Sequence, residues 1–414
     1  MNVLSLKILL PFLIAVLMTH PLYPQIIVDK SGKIKTITDA LSIAKDGDKI
    51  VVRAGDYKEG NIIIDKQIDL IADGKVIVDG EGMHEIITVK ADNVTIKGFT
   101  FINAGVSYLQ ENAAIKIDEV KNCLIENNKL QNNFFGIYLA KSEECIIRNN
   151  EIEADGKKES SSGNGIHLWY CKNIQIESNN IKGHRDGIYL EFVQDAVIEN
   201  NFSEKNLRYG LHFMFSDRCV YSNNQFQKNG AGVAVMYSKN VQMFENIFND
   251  NWGPTAYGLL LKDISESLIE RNSFQRNTTG VYMEGCGRSK IQNNVFEKNG
   301  WAIKLMANSM NNQFVRNDFI ANSFDVATNS RQNFNTFENN YYSKYKGYDL
   351  TKNGIGDVPY RPVKLYSIIV EQQPPSLVLL HSLFIELLDI AESVFPSLTP
   401  EALIDNSPSM RRIN

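Results

Sequence analysis

His212, Met214 and Met236 stand two and then 22 residues apart in the middle of this chain. Imidazole and thioether are soft donors, and one imidazole with two thioethers suits Cu(I) better than harder divalent ions, which favour carboxylates and water. The three can act as one set only if 22 residues return the chain to the same place. If they do, Glu191 joins them, and His167, His184 and Met306 are weaker candidates on the same face. The competing reading is contact with a protein partner, because Met and aromatic side chains also enrich interface cores.

Two other groups carry possible chemistry. Asp349, Thr351, Asn353 and Asp357 offer oxygens at alternate positions around Gly354, in the manner of a calcium loop. The twelfth position holds Tyr360 rather than Glu, so an Asx-turn loop is the alternative. Asp186 with Arg185 and Arg208 is the strongest catalytic grouping. A sugar-cleaving site needs paired carboxylates a few ångströms apart, and Glu191 and Glu284 are separated by four repeats.

That repeat is the element that positions everything else. Gly-apolar-x-apolar begins at Gly136, Gly165, Gly187, Gly210, Gly232, Gly258 and Gly280, at intervals of 29, 22, 23, 22, 26 and 22 residues. Between these units fall Asn pairs, among them Asn127-Asn128, Asn149-Asn150, Asn179-Asn180, Asn200-Asn201, Asn223-Asn224, Asn293-Asn294 and Asn339-Asn340; Glu245-Asn246 and Arg271-Asn272 stand in for the pair. Short period-2 strands at such spacing leave no room for a helix in each repeat. The expected fold is all-β, a right-handed parallel β-helix with rungs of about 22 residues over residues 25–344. A helix at Thr36–Lys45 is expected to cap its open end.

Alternate residues of a strand face opposite ways, so two outward columns follow. One reads Tyr138, His167, Tyr189, His212, Ala234, Leu260, Tyr282, Lys304. The other reads Ala140, Trp169, Glu191, Met214, Met236, Lys262, Glu284, Met306. Rungs stack roughly 4.8 Å apart, which gathers His212, Met214, Met236 and Glu191. Cys123 and Cys145 stack in an inward column with Ile174, Ala196, Cys219 and Val241 as small apolar fill, a disulfide between the two being the alternative. Cys286, flanked by Gly285 and Gly287, is expected to be exposed.

The 43 basic and 48 acidic residues give a net charge of −5, too little positive field to hold nucleic acid. Lys7 and the eleven apolar residues Ile8–Met18 are too short to span a bilayer, which takes roughly 20. Residues 1–24 read as a signal peptide, with a retained anchor as the competing reading. Residues 345–375, carrying Pro359, Pro362, Pro374 and Pro375, read as a loop and Pro-rich linker. Residues 376–414 read as a docking helix and tail, with Leu377, Leu380, Phe384, Leu387 and Leu388 on one face. Glu386, Asp389 and Glu392 argue against a membrane span. The alternative is a helix folded back on the solenoid's own end.

Several strings are specific beyond the repeat: Leu207-Arg-Tyr-Gly-Leu-His-Phe-Met-Phe-Ser216, Gly230-Ala-Gly-Val-Ala-Val-Met-Tyr-Ser238, Asn299-Gly-Trp-Ala-Ile-Lys304 and Gly356-Asp-Val-Pro-Tyr-Arg-Pro362. Together they resemble the NosD family over nearly the whole chain after residue 24. The resemblance implies a periplasmic accessory protein of nitrous oxide reductase, without a catalytic site or tightly bound cofactor. It would work with an ABC-type ATPase and its membrane permease in building the reductase's copper-sulfide centre. It further implies that the terminal helix docks on the permease, and that the His and Met face receives Cu(I) from a copper chaperone or touches the immature reductase. Tyr342 departs from the family, which commonly has Trp there, and the loop at Asp349 is less acidic than usual. The alternative function is a carbohydrate-binding or polysaccharide-processing β-helix.

Overall fold

The computed structural model describes residues 25–107, 110–330, 332–380, 382–394 and 403–413; the expected signal peptide lies outside them. From Gln25 to Tyr342 the chain coils as a parallel β-solenoid, as the repeat predicts. Its strands fall into a twelve-stranded sheet and a 25-stranded sheet, each strand pairing in parallel with its counterpart one rung away. The cap is the short helix α1, Ile37–Ile43, where Thr36 accepts the Asp39 N–H at its N-terminus and Ile37, Ala40 and Leu41 are buried.

The inward residues stack in columns. On the twelve-stranded sheet, Ile137, Ile166, Ile188, Leu211, Val233, Leu259 and Val281 follow one another in register and are fully buried. On the opposite wall Phe226, Phe248, Phe274, Phe296 and Phe319 stack ring on ring at 4.6–5.6 Å. Each such side chain contributes about 1.5–3 kcal/mol by leaving water. The glycines that head the inner strands answer to the same crowding: a Cβ on Gly232 would stand 2.5 Å from the Gly258 carbonyl oxygen.

The two residues of each Asn pair have different tasks. The first takes the left-handed conformation that turns the corner, with φ of 56° at Asn149, 57° at Asn200 and 54° at Asn223. Asn bears this more easily than most side chains, yet Glu245 and Arg271 also adopt it, each at 53°. The second residue points inward. Asn272 Oδ1 accepts both the Asn246 backbone N–H (2.9 Å) and its side-chain amide (3.0 Å), while Asn272 Nδ2 donates to the Met243 carbonyl at 2.9 Å. The same pattern runs through Asn128, Asn150, Asn179, Asn201, Asn224, Asn246, Asn272, Asn294, Asn317 and Asn340. Asn179-Asn180 is therefore one residue out of phase with the other pairs: Ser178 turns the corner there and Asn179 enters the ladder.

The C-terminal region differs most from expectation. The stretch expected as a linker contains a helix, α2 (Leu365–Gln372), which lies over the last strands of the twelve-stranded sheet: Tyr366 meets the Phe324 ring at 5.8 Å, and Glu371 pairs with Lys304 at 3.1 Å. The single helix expected from residue 376 is instead a 3-10 turn at Pro374–Leu379 followed by α3 (Leu383–Val394). The Glu392 carboxylate binds the free Leu365 N–H at the start of α2 (3.0 Å) and Lys364 (3.3 Å), so α3 folds back over α2. The expected tail also returns. Asp405 Oδ2 accepts the Asn340 N–H and amide at 3.0 and 2.9 Å, in the place of the next ladder Asn, and its backbone exchanges hydrogen bonds with Tyr360.

Cys286 is buried, 1 % exposed, against the expectation: the corner turns its thiol inward to the Leu261 carbonyl, as Cys171 turns to Leu139. Cys123 and Cys145 are buried free thiols, and the hydrogen bond that the Cys123 S–H donates to Cys145 pushes the Cys123 thiol up.

Asp405→Ala should leave two buried Asn340 donors unmatched and lower the unfolding free energy by roughly 2–5 kcal/mol. Asp405→Asn, which restores the amide acceptor used along the ladder from Asn128 to Asn340, should stay within about 1 kcal/mol of the unsubstituted chain. Urea unfolding of both variants checks this.

Candidate metal centre

The outward columns of the twelve-stranded sheet have the expected register. Tyr189, His212, Ala234, Leu260, Tyr282 and Lys304 are successive partners, as are Glu191, Met214, Met236, Lys262 and Glu284. Met214 and Met236 face each other across adjacent strands, His212 precedes Met214 by two residues on the same face, and Glu191 partners Met214 on the other side. His167 lies two rungs below His212 with Tyr189 between them. Met306 follows the column's last pair, four rungs from Met214. His184 belongs to neither column and lines a cavity of about 170 Å³ with Asn133, Ser161 and Ser162.

The histidines are far less open than an outward column suggests. Only 3 % of His212 and 8 % of His167 is exposed, while Met214, Met236 and Glu191 are half-buried. Rings one rung apart shield each other, Tyr138 and His167 at 4.7 Å, His167 and Tyr189 at 4.7 Å and Tyr189 and His212 at 4.9 Å, and Tyr209, on the same strand as His212, adds its ring at 4.7 Å. Burial pushes His167 down to about 3 and His184 down to about 4, so both are neutral at ordinary pH. His212 Nε2 is buried without a hydrogen-bond partner, as is His167 Nε2. The set can therefore offer one imidazole nitrogen and two partly accessible thioethers, donors that fit a soft monovalent ion.

Burial alone would push the Asp186 carboxyl up, but hydrogen bonds from His212 and Arg208 outweigh it and hold the group below its ordinary value. The acidic loop closes on itself. Asp349 accepts the N–H groups of Gly354 (2.7 Å) and Asn353 (3.2 Å), Asp357 accepts that of Leu350 (2.6 Å), and Asn353 that of Ile355 (2.8 Å), the pattern of an Asx-turn loop. Among the described residues no group of three or more His, Cys, Asp or Glu is arranged to hold a metal ion.

Sequence reasoning missed one feature of this margin. Tyr170, Phe192, Phe215 and Tyr237 are exposed and stack face to face at 4.6, 5.1 and 5.0 Å, each directly after Trp169, Glu191, Met214 and Met236. All four hold a left-handed backbone, φ 51–55°, which is uncommon for bulky side chains. The signal was an aromatic residue recurring every 22 or 23 positions.

A family model described as "Periplasmic copper-binding protein (NosD)" matches residues 41–160 and 148–347. The chain belongs to the NosD family. A Pseudomonas aeruginosa relative named as a probable ABC transporter binding protein NosD is 30 % identical, the match covering 90 % of this chain and 91 % of the relative. The Stutzerimonas stutzeri relative of the same name is 27 % identical over 86 % of each. Among solved structures, the Streptococcus pneumoniae surface adhesin PfbA shares the fold alone, with a TM-score of 0.59 at 12 % identity over 82 % of this NosD-family chain and 99 % of the adhesin. Among the described residues no helix is long and apolar enough to cross a membrane.

A histidine kept neutral by the fold takes up its proton only on unfolding, so the stability it supports is intact above pH 6.5 and is lost as pH falls towards 4. His184→Gln should flatten the pH dependence of unfolding in that window by roughly 1.4 kcal/mol per pH unit. Urea unfolding at pH 7, 6, 5 and 4 measures the slope; parallel curves for the two proteins would contradict the assignment.

Proposed function

We propose that this NosD-family chain is a periplasmic assembly factor for the copper-sulfide centre of nitrous oxide reductase, acting with an ABC-type ATPase and permease and receiving or passing on Cu(I). The observation that carries the reading is the adjacency of His212, Met214 and Met236 on one sheet face, in a chain whose family is described as copper-binding. Cu(I) is cargo. A copper chaperone would present soft ligands to the half-buried thioethers, and the ion would pass by ligand exchange without a change of oxidation state. Energy would come from ATP hydrolysis in the partner.

The outer face of α3 supports docking on the permease. Leu377, Phe384 and Leu387 of the expected docking set are exposed, and Leu383 lies beside them at 72 % exposure. Leu380 and Leu388 instead pack with Ile385 against Phe324, Tyr366 and Val370, so they hold the helix in place. Membrane association would then be through the permease. A polysaccharide-cleaving role has less support: four rungs separate Glu191 from Glu284, or about 19 Å at 4.8 Å per rung, against the 5–9.5 Å of paired catalytic carboxylates.

In a denitrifying host lacking this gene, nitrous oxide should accumulate with a copper-deficient reductase. The wild-type chain should restore reduction, and a folded, exported chain with His212→Ala, Met214→Ala and Met236→Ala should not. Cu(I) titration of the two purified proteins separates metal binding from partner contact. Normal nitrous oxide reduction in the deletion strain would overturn the reading.

Leu383→Glu with Leu387→Glu should leave thermal unfolding unchanged, since both side chains already face water, and abolish co-purification with the permease and ATPase. Retention of the complex would place the docking surface elsewhere.

A further inference from the structure

Asp186 is fully buried at the first position of the strand Asp186–Glu191, one rung below the strand that carries His212. Its carboxylate receives Arg208 Nε at 2.9 Å and a terminal guanidinium nitrogen at 2.5 Å. It also receives the Tyr209 backbone N–H at 3.4 Å. Oδ2 lies 3.5 Å from His212 Nδ1. Arg185, grouped with these residues on sequence, turns instead to Asn164 at 3.3 Å. The far side of the His212 ring is different: Nε2 is buried with no hydrogen-bond partner, and the ring is held between Tyr189 and Tyr209.

A neutral imidazole carries one N–H, and the partner of one nitrogen decides which atom bears it. An ionised carboxylate can only accept. With Arg208 gripping it through two nitrogens, Asp186 has a fixed plane and a retained charge. We infer that Asp186 is a positioning residue: it draws the single proton of His212 to Nδ1 and leaves the Nε2 lone pair as the nitrogen that joins Met214 and Met236 on a soft cation. The identity of that cation rests on the function proposed above; the tautomer does not. Ligating histidines commonly donate their second ring N–H to a carboxylate, and loss of such a partner lowers metal affinity by about 10–100-fold. Arg208 neutralises the buried carboxylate, so the pair adds no net charge.

The tautomer is read directly by nitrogen-15 NMR of the copper-free chain labelled at histidine, with His212→Gln identifying the signal. His212 should carry its proton on Nδ1. Asp186→Asn should move the proton wholly or partly to Nε2 and weaken Cu(I) binding 10–100-fold, while Met214→Ala with Met236→Ala should weaken Cu(I) binding and leave the tautomer alone. A proton on Nε2 in the unsubstituted chain would overturn the inference without any variant having to fold. So would an Asp186→Asn protein with unchanged tautomer and affinity. An Nδ1–H tautomer in a wild-type chain that takes up no Cu(I) would overturn the copper reading and sustain the Asp186–His212 contact.

Discussion

A buried primary amide has four hydrogen-bonding opportunities, and burying it unsatisfied is expensive. In this solenoid the Asn amides meet that demand almost entirely across rungs, each to the rung before and the rung after. A slip of one residue between neighbouring rungs would strand several amides at once and turn the inward column outward. The ladder therefore fixes register to the residue along ten consecutive turns. Core packing alone would be more forgiving, since Ile, Leu, Val and Phe exchange places freely in the stacked columns.

Register fixed on the inside leaves the outside free to carry chemistry. Residues 22 or 23 apart meet at strand spacing wherever they face outward, so the sequence can compose a site by choosing a few positions in a column and leaving the rest unchanged. The candidate set His212, Met214 and Met236 draws on two neighbouring strands. The aromatic stack at Tyr170, Phe192, Phe215 and Tyr237 uses four.

Period and alternation made the fold and the columns readable in advance, because both properties belong to a single rung and are repeated. Burial of His212 could not be read that way: it depends on Tyr189 and Tyr209 as neighbours, rings whose orientation the repeat does not set. Asp186 and His212 are 26 residues apart, off the 22-residue interval, because the contact joins the start of one strand to the middle of the next. Asp405 lies 65 residues beyond the Asn it serves, outside any period. Cys286 misled through its flanking glycines, which suggested an open turn although the corner's geometry directs the side chain into the core as it does at Cys171.

The helical excursion that holds α2 and α3 is anchored at both of its roots. Val363 bridges Val326 on one side and Asp405 bridges Phe337 on the other, while Tyr360 and Asp405 clamp the two roots to each other. A segment attached at one root would swing and absorb a pull as slack. Attached at two, it passes load into the last rungs, and a solenoid cross-linked by hydrogen bonds at every turn is stiff along its axis. The strand bearing His212 is five rungs from the one that carries Val326. A push on α3 would thus reach the face carrying His212, Met214 and Met236 as displacement of a whole body, with the spacing of those side chains carried along undistorted.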